Sequence, residues 1–174
     1  MTERRLIAPH ADYEPTHRSF IAEFIAHGEK VIPWVGAEQY VTFRDYIAKL
    51  EAAAQGIGIP EGFVPHSTFW LLDADNEIVG ISNLRHRLTD SLLRFGGHIG
   101  FGIRPSARRR GYANELLRAT LVEARSLGLR RVRATCDQEN LASAKTILRN
   151  GGVLAEEELM PEHGRVVSRY WIDL

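Results

Sequence analysis

The 174-residue sequence has a single cysteine, Cys136, so no internal disulfide can form, and a reducing, cytoplasmic setting is the expectation. It also lacks net charge, with 22 Lys and Arg against 22 Asp and Glu, which argues against a polyelectrolyte tail. No run approaches the ~18 apolar residues of a membrane span, so no membrane partner is expected. The opening, Met1 to Leu6, has none of the apolar core of a secretory signal. The histidines (10, 17, 27, 66, 86, 98 and 163) are scattered, without an H-E-x-x-H or Cys/His cluster, so no metal is expected. Repeats and low-complexity segments are absent too. What remains is 44% hydrophobic and 25% charged, the profile of one folded domain that buries roughly 70% of its unfolded surface.

Neutrality hides an asymmetry. Residues 1–90 hold 8 basic and 13 acidic side chains, residues 91–174 hold 14 and 9, and nine Arg fall between Arg104 and Arg133. A short basic stretch in a neutral chain suits a compact anion better than a nucleic-acid track. The chain also lacks the aromatic series that stacks bases, so no nucleic-acid partner is expected. An Arg-rich solvated helix face is the plainer alternative.

The first sixty residues read as two helices. One carries Phe20, Phe24 and Ile25 and stops at Gly28; the other, Thr42 to Gln55, carries Phe43, Tyr46, Ile47 and Leu50. Gly56 to Gly62 breaks the second. Two strands, Ser67–Leu72 and Ile78–Leu84, follow around a polar turn at 73–77, and Arg85 to Phe95 is less regular. Gly96 to Ile103 then alternates with period two. Ile99, Phe101 and Ile103 form an apolar face; the other holds His98, Gly100 and Gly102, bare enough for a ligand or another backbone to approach. A helix from Ala113 to Gly128, a strand Arg131–Thr135, a helix Leu141–Asn150 capped by Asn140, and a hairpin from Val153 turning at 161–164 complete the chain. The order α, α, β, β, β, α, β, α, β, β predicts a mixed α/β (α+β) fold with helices on the faces of a sheet.

Arg108-Arg109-Arg110-Gly111-Tyr112-Ala113-Asn114 stands between strand and helix. Gly111 frees the backbone, small Ala113 lets the first turn sit close to the strand, and N–H groups at a helix start suit phosphate oxygens. The arginines can add charge-assisted bonds. The pattern R-x-x-G-x-A, filled by Arg108, Gly111 and Ala113, resembles the acyl-CoA motif of the GNAT N-acetyltransferase superfamily. His98 to Pro105 resembles that family's fourth strand, and Asn140, Ser143 and Gly151-Gly152 its Asn-x-x-Ser/Ala…Gly-Phe segment. The likeness covers about 67–174 and is strongest to a subgroup of uncharacterised bacterial members.

The resemblance implies a mostly antiparallel central sheet with a V-shaped opening between the fourth and fifth strands. Acetyl-CoA would lie there as acyl donor, in a single domain 1–174 with an acetyl-CoA core (67–174) and an acceptor-shaping N-terminal part (1–66). It implies pyrophosphate on the N–H groups of Arg109 to Ala113, with Arg108, Arg110, Tyr112, Asn114, Asn140 and Ser143 also on the cofactor. The main chain of Phe101, Gly102 and Ile103 would hold the pantetheine arm and polarise the thioester. An amine of a small molecule or peptide would attack directly. A base would help keep it neutral: His98 is the first candidate, where many members carry a strand Glu, and His86 the second; the plain alternative for each is a packing imidazole. The family's Tyr, the usual proton donor to the thiolate, is replaced by Ile147. Ser143 could hold the sulfur or relay a proton, Tyr112 ranks lower, and unassisted departure stays open. Cys136 is expected as a buried thiol rather than a nucleophile. A homodimer is compatible with the family, though nothing marks an interface. The competing function is a non-catalytic acyl-CoA-binding or sensing module. The acceptor is unread; the acidic balance of residues 1–90 is compatible with a cationic amine.

Overall fold

The computed structural model describes residues 4–161 and 164–174; Glu162 and His163, part of the expected turn, lie outside the described residues, as do Met1 to Glu3. The chain runs β1 (Arg5–Ile7), α1 (Glu14–Ala26), α2 (Phe43–Ala54), β2 (His66–Leu72), β3 (Ile78–Arg85), α3 (Asp90–Phe95), β4 (Ile99–Ile103), α4 (Tyr112–Ser126), β5 (Arg131–Asp137), α5 (Leu141–Arg149), β6 (Gly152–Met160) and β7 (Arg165–Asp173). The strands form two antiparallel sheets, β1-β2-β3-β4 and β5-β7-β6. The expected sheet is thus divided between β4 and β5. Two elements were not anticipated, β1 and α3, of three and six residues. Among the described residues no helix is long and apolar enough to cross a membrane.

Period-two alternation gives the first sheet two faces. Trp70 and Ile81, opposite each other in register, point toward Phe20, Phe24, Phe43, Tyr46 and Leu50 of α1 and α2. Leu71 and Val79 pack with Ile103, Tyr112 and Leu116, and Leu84 and Ile99 with Leu117, Val132 and Ile147, under α4 and α5. Each fully buried side chain of this kind contributes about 1.5–3 kcal/mol. A capping box starts α2: Thr42 Oγ1 accepts from Asp45 N at 3.2 Å while Thr42 N donates to Asp45 Oδ2 at 3.0 Å. Ile25, expected on the buried stripe of α1, is instead 68% exposed, because the buried stripe runs through Thr16, His17, Phe20 and Phe24.

His17 is wedged among Phe43, Tyr46 and Trp70, with ring centroids 5.1–5.3 Å away. Burial lowers its pKa to about 4 from 6.5, so the ring is neutral in the folded protein at neutral pH. The unfolded chain therefore takes up the proton first. Stability is full above about pH 6.5 and declines as pH falls toward about 4, a loss of about 3 kcal/mol for this one group. Urea denaturation at pH 7.5 and pH 5 is expected to show a marked fall that His17→Leu reduces. An equal fall in the variant would assign the acid sensitivity elsewhere.

Candidate active site

The two sheets touch at the entrance to β4. His98 N donates to Arg133 O at 2.7 Å, and Arg133 N donates to His98 Nδ1 at 2.9 Å. Gly97 (φ 61°) makes the approach feasible: a Cβ there would lie 2.4 Å from Arg133 O. Beyond this clasp no ladder joins β4 to β5 among the described residues. A cavity of about 720 Å³ opens between the end of β4 and the segment that follows β5.

Along one wall lie Phe101, Gly102 and Ile103; along the other, Asn140 and Ser143. At one end Arg108, Arg109, Gly111, Ala113 and Asn114 complete it. Gly111 is the N-cap of α4 with φ 85° and offers no side-chain cap, so the first N–H groups of the helix are free for an acceptor. Arg109 also has positive φ, 63°. Left-handed residues just before a helix make a concave array of N–H groups suited to anions.

The three arginines do not share one task. Arg108 donates to both carboxylate oxygens of Glu29, at 2.8 and 2.6 Å, and through Nε to Ile103 O at 3.1 Å. That bond holds the Glu29 carboxyl below its usual range. Arg110 lies over the Tyr112 ring, 5.4 Å from its centroid, and neither side chain lines the cavity. The expected side-chain contributions of Arg110 and Tyr112 are corrected accordingly: Tyr112 is 5% exposed in the core beneath β3, too deep to serve as an acid. Arg109 does line the cavity, joined by Lys145 and Arg149 of α5, which sequence reasoning missed; none of the three pairs with a carboxylate among the described residues. Helical spacing 145/149 was the signal available.

Asn140 Oδ1 accepts from Ser143 N at 3.1 Å, the cap expected for α5. Ser143 stands on the cavity wall. Ile147, one turn on, is fully buried against α4 and β7, so its position faces the core rather than the opening. Cys136 is half-buried, and burial raises its thiol pKa to about 11, which disfavours a nucleophilic thiolate.

The bare face of β4 is covered by chain. The carbonyl of Ile32 lies 1.9 Å from where a Gly102 Cβ would be, and Pro33 Cβ lies 3.5 Å from that of Gly100. His98, expected to be presented on an open face, is 6% exposed and lines neither cavity. Its Nδ1 lone pair is taken by Arg133 N–H, and burial, then the nearby Arg85 charge, lowers its pKa to about 4. His86 Nε2 is 2.8 Å from Ser67 Oγ and also outside both cavities.

A second, smaller cavity, about 250 Å³, lies on the α1/α2 side of the sheet and is lined by Trp34, Phe63, His66, Asn83, Arg85, Thr89 and Leu92 among others. Asn83 Nδ2 is 2.9 Å from His66 Nδ1; with the amide donating, the ring proton is on Nε2. Burial lowers the His66 pKa. Sequence reasoning missed this group, whose members come together only through strand register.

A protein-family model described as an acetyltransferase (GNAT) domain matches residues 5–153. No curated protein matches the chain. Similar solved structures include RimL, a ribosomal L7/L12 alpha-N-protein acetyltransferase in complex with coenzyme A (TM-score 0.70, 19% identity, 98% of this chain and 94% of that one). An acetyltransferase from Salmonella typhimurium that modifies the N-terminal serine of L7/L12 is similar at TM-score 0.67 and 18% identity, over 98% and 95% of the two chains. A spermidine N-acetyltransferase, SpeG, from Vibrio cholerae follows at 0.62 and 16%, over 97% and 94%. At these identities the likeness is one of fold.

Proposed function

The chain belongs to the acetyltransferase (GNAT) domain family, and from that premise we propose that it transfers an acetyl group from acetyl-CoA to a primary amine. The observation that carries this reading is the larger cavity. It joins an uncapped helix N-terminus and three cations unpaired among the described residues, Arg109, Lys145 and Arg149, to the open edge of β4. The donor supplies an activated acyl group and a diphosphate by which to be held. The first turn of α4 and Arg109 would bind that diphosphate. On the side away from β3, β4 is an edge whose outward N–H and C=O groups have no strand partner among the described residues. Those of Phe101 to Ile103 would hold the pantetheine amides and direct an N–H at the thioester oxygen, a contact typically worth about 3–4 kcal/mol of barrier. Ser143, on the cavity wall, would bond the sulfur. Ile147 buried in the core favours a second reading, a binding module without turnover.

With the His98 Nδ1 lone pair taken by Arg133 N–H, the His66 Nδ1 lone pair taken when the Asn83 amide donates, and His86 outside both cavities, the amine would enter already neutral, and kcat/KM is expected to rise with pH as the acceptor's own ammonium ionises. His98→Ala should lower folding stability by removing the side-chain half of the clasp and leaving Arg133 N without its acceptor, with the shape of the profile intact. Loss of an acidic limb in that variant would return the base to His98. Calorimetric titration with acetyl-CoA, against dephospho-CoA, tests the donor site, and release of CoA thiol with amines separates enzyme from binding module. Micromolar affinity that weakens steeply with salt is expected. A folded protein that binds neither compound overturns the reading.

A further inference from the structure

The smaller cavity has a chemical signature of its own. None of its lining residues is Asp or Glu. Register sets His66 beside Arg85 and Asn83 opposite Gly100, so the polar side chains share the face on which β4 is bare. Arg85 Nη1 donates to the carbonyls of Gly96 and Gly97 at 3.0 and 3.1 Å. Its Nη2 and Nε donate to no described residue, and no described carboxylate lies within 4.0 Å. Nη2 lies 3.7 Å from where a Gly100 Cβ would project, so the guanidinium extends over the bare face of β4. Burial depresses the Arg85 pKa with no opposing acidic partner. A desolvated cation of this kind is costly until an anion meets it. Part of the wall around it is apolar: Trp34 stands edge-on to Phe63 and His66 at 5.8 and 6.2 Å, with Val64 and Leu92 also lining the cavity.

We propose that this cavity holds the acceptor and selects a primary amine that also carries a carboxylate and an apolar side group, the carboxylate seated on Arg85. The inference rests on the N-acetyltransferase reading above. The two cavities are placed for it: Ile32 lines the donor cavity, Trp34 the smaller one, and Pro33 between them packs on Gly100. In transfer, the amine nitrogen forms the new C–N bond as the thioester C–S bond breaks; the surplus ammonium proton goes to water and the thiolate takes one back. A site built to bond a charged group rejects the analogue that lacks it far more strongly than an apolar pocket rejects a missing methylene. Cationic polyamines are therefore excluded as good acceptors, despite the acidic balance of residues 1–90.

The test compares phenylalanine and leucine with their amides and with spermidine, by CoA-thiol release at saturating acetyl-CoA. The acids should exceed the amides at least tenfold in kcat/KM, and spermidine should be poorest. Arg85→Met should collapse the acid-to-amide ratio toward one, with Arg85→Lys restoring part of it, since lysine keeps the charge and loses the fork. An Ala-Phe dipeptide separates a free amino acid from a peptide C-terminus, either of which seats a carboxylate. Amides or spermidine equal to the acids, or an unchanged ratio in Arg85→Met, would overturn the inference. Calorimetry of N-acetylphenylalanine against its amide, with CoA present, decides without turnover. If no amine is acetylated yet the N-acetyl acid binds at least tenfold tighter, transfer fails and the carboxylate site stands. If wild-type, folded protein shows no such preference, the site fails.

Discussion

Gly111→Asp is expected to weaken acetyl-CoA binding at least a hundredfold, about 2.7 kcal/mol, at a much smaller cost in folding stability. Gly111 has φ 85° and no neighbour within 4 Å of a built Cβ, so an Asp side chain has space. The left-handed backbone costs Asp less than most residues, since its short polar side chain bonds locally. Position 111 is also an N-cap that now lacks a side-chain acceptor. Asp would add a favourable charge at the positive end of α4, worth about 0.3–1 kcal/mol against the strain of the positive φ. The same carboxylate would occupy the N–H groups proposed for the diphosphate and repel it. A Tm within a few degrees of wild type, with calorimetric binding lost, is the expected pairing. Retained affinity would remove the α4 N-terminus from the donor site.

Gly102→Ala is expected to do the reverse, harming fold and function together. Its Cβ would fall 1.9 Å from the carbonyl oxygen of Ile32 and 2.9 Å from the carbon, backbone atoms that cannot rotate aside. Overpacking costs about 1–3 kcal/mol, and relief requires moving the 32–34 segment that lines both cavities. Gly100→Ala is the matched control. Its nearest contacts, Pro33 Cβ at 3.5 Å and Arg85 Nη2 at 3.7 Å, are ordinary ones, and Ala in a strand interior restores what Gly lacks there. Denaturation midpoints should separate the two clearly. Equal midpoints would mean that the segment is not seated on Gly102.

What could be read in the sequence was local. Phe43, Tyr46, Ile47 and Leu50 identify α2 by spacing alone; Asn140 marks its helix because capping involves residues three apart. The strand alternation put Gly100 and Gly102 on the face that Ile32 and Pro33 cover, whereas His98 stands just before β4 with its ring bonded to Arg133 N; the motif at Arg108 to Ala113 falls at a strand-to-helix junction. The occupants of these positions are set by contacts far along the chain. Ile32 covers the bare face from 70 positions away in sequence. Glu29 neutralises Arg108 from 79 positions away, and Arg133 takes the His98 lone pair from 35. Three-residue β1 and six-residue α3 are too short to show a period. The smaller cavity was hidden for a related reason: no local pattern brings His66, Asn83 and Arg85 together until β2 and β3 are paired in register.

The stretch from Ile32 to Trp34 ends as a partition wall common to two rooms. A wall shared in this way obeys reciprocity: whatever factor an occupant of the smaller cavity applies to acetyl-CoA affinity, acetyl-CoA applies to that occupant in equal measure. The order in which donor and acceptor arrive can then change the rates of assembly of the ternary complex, but not its total free energy.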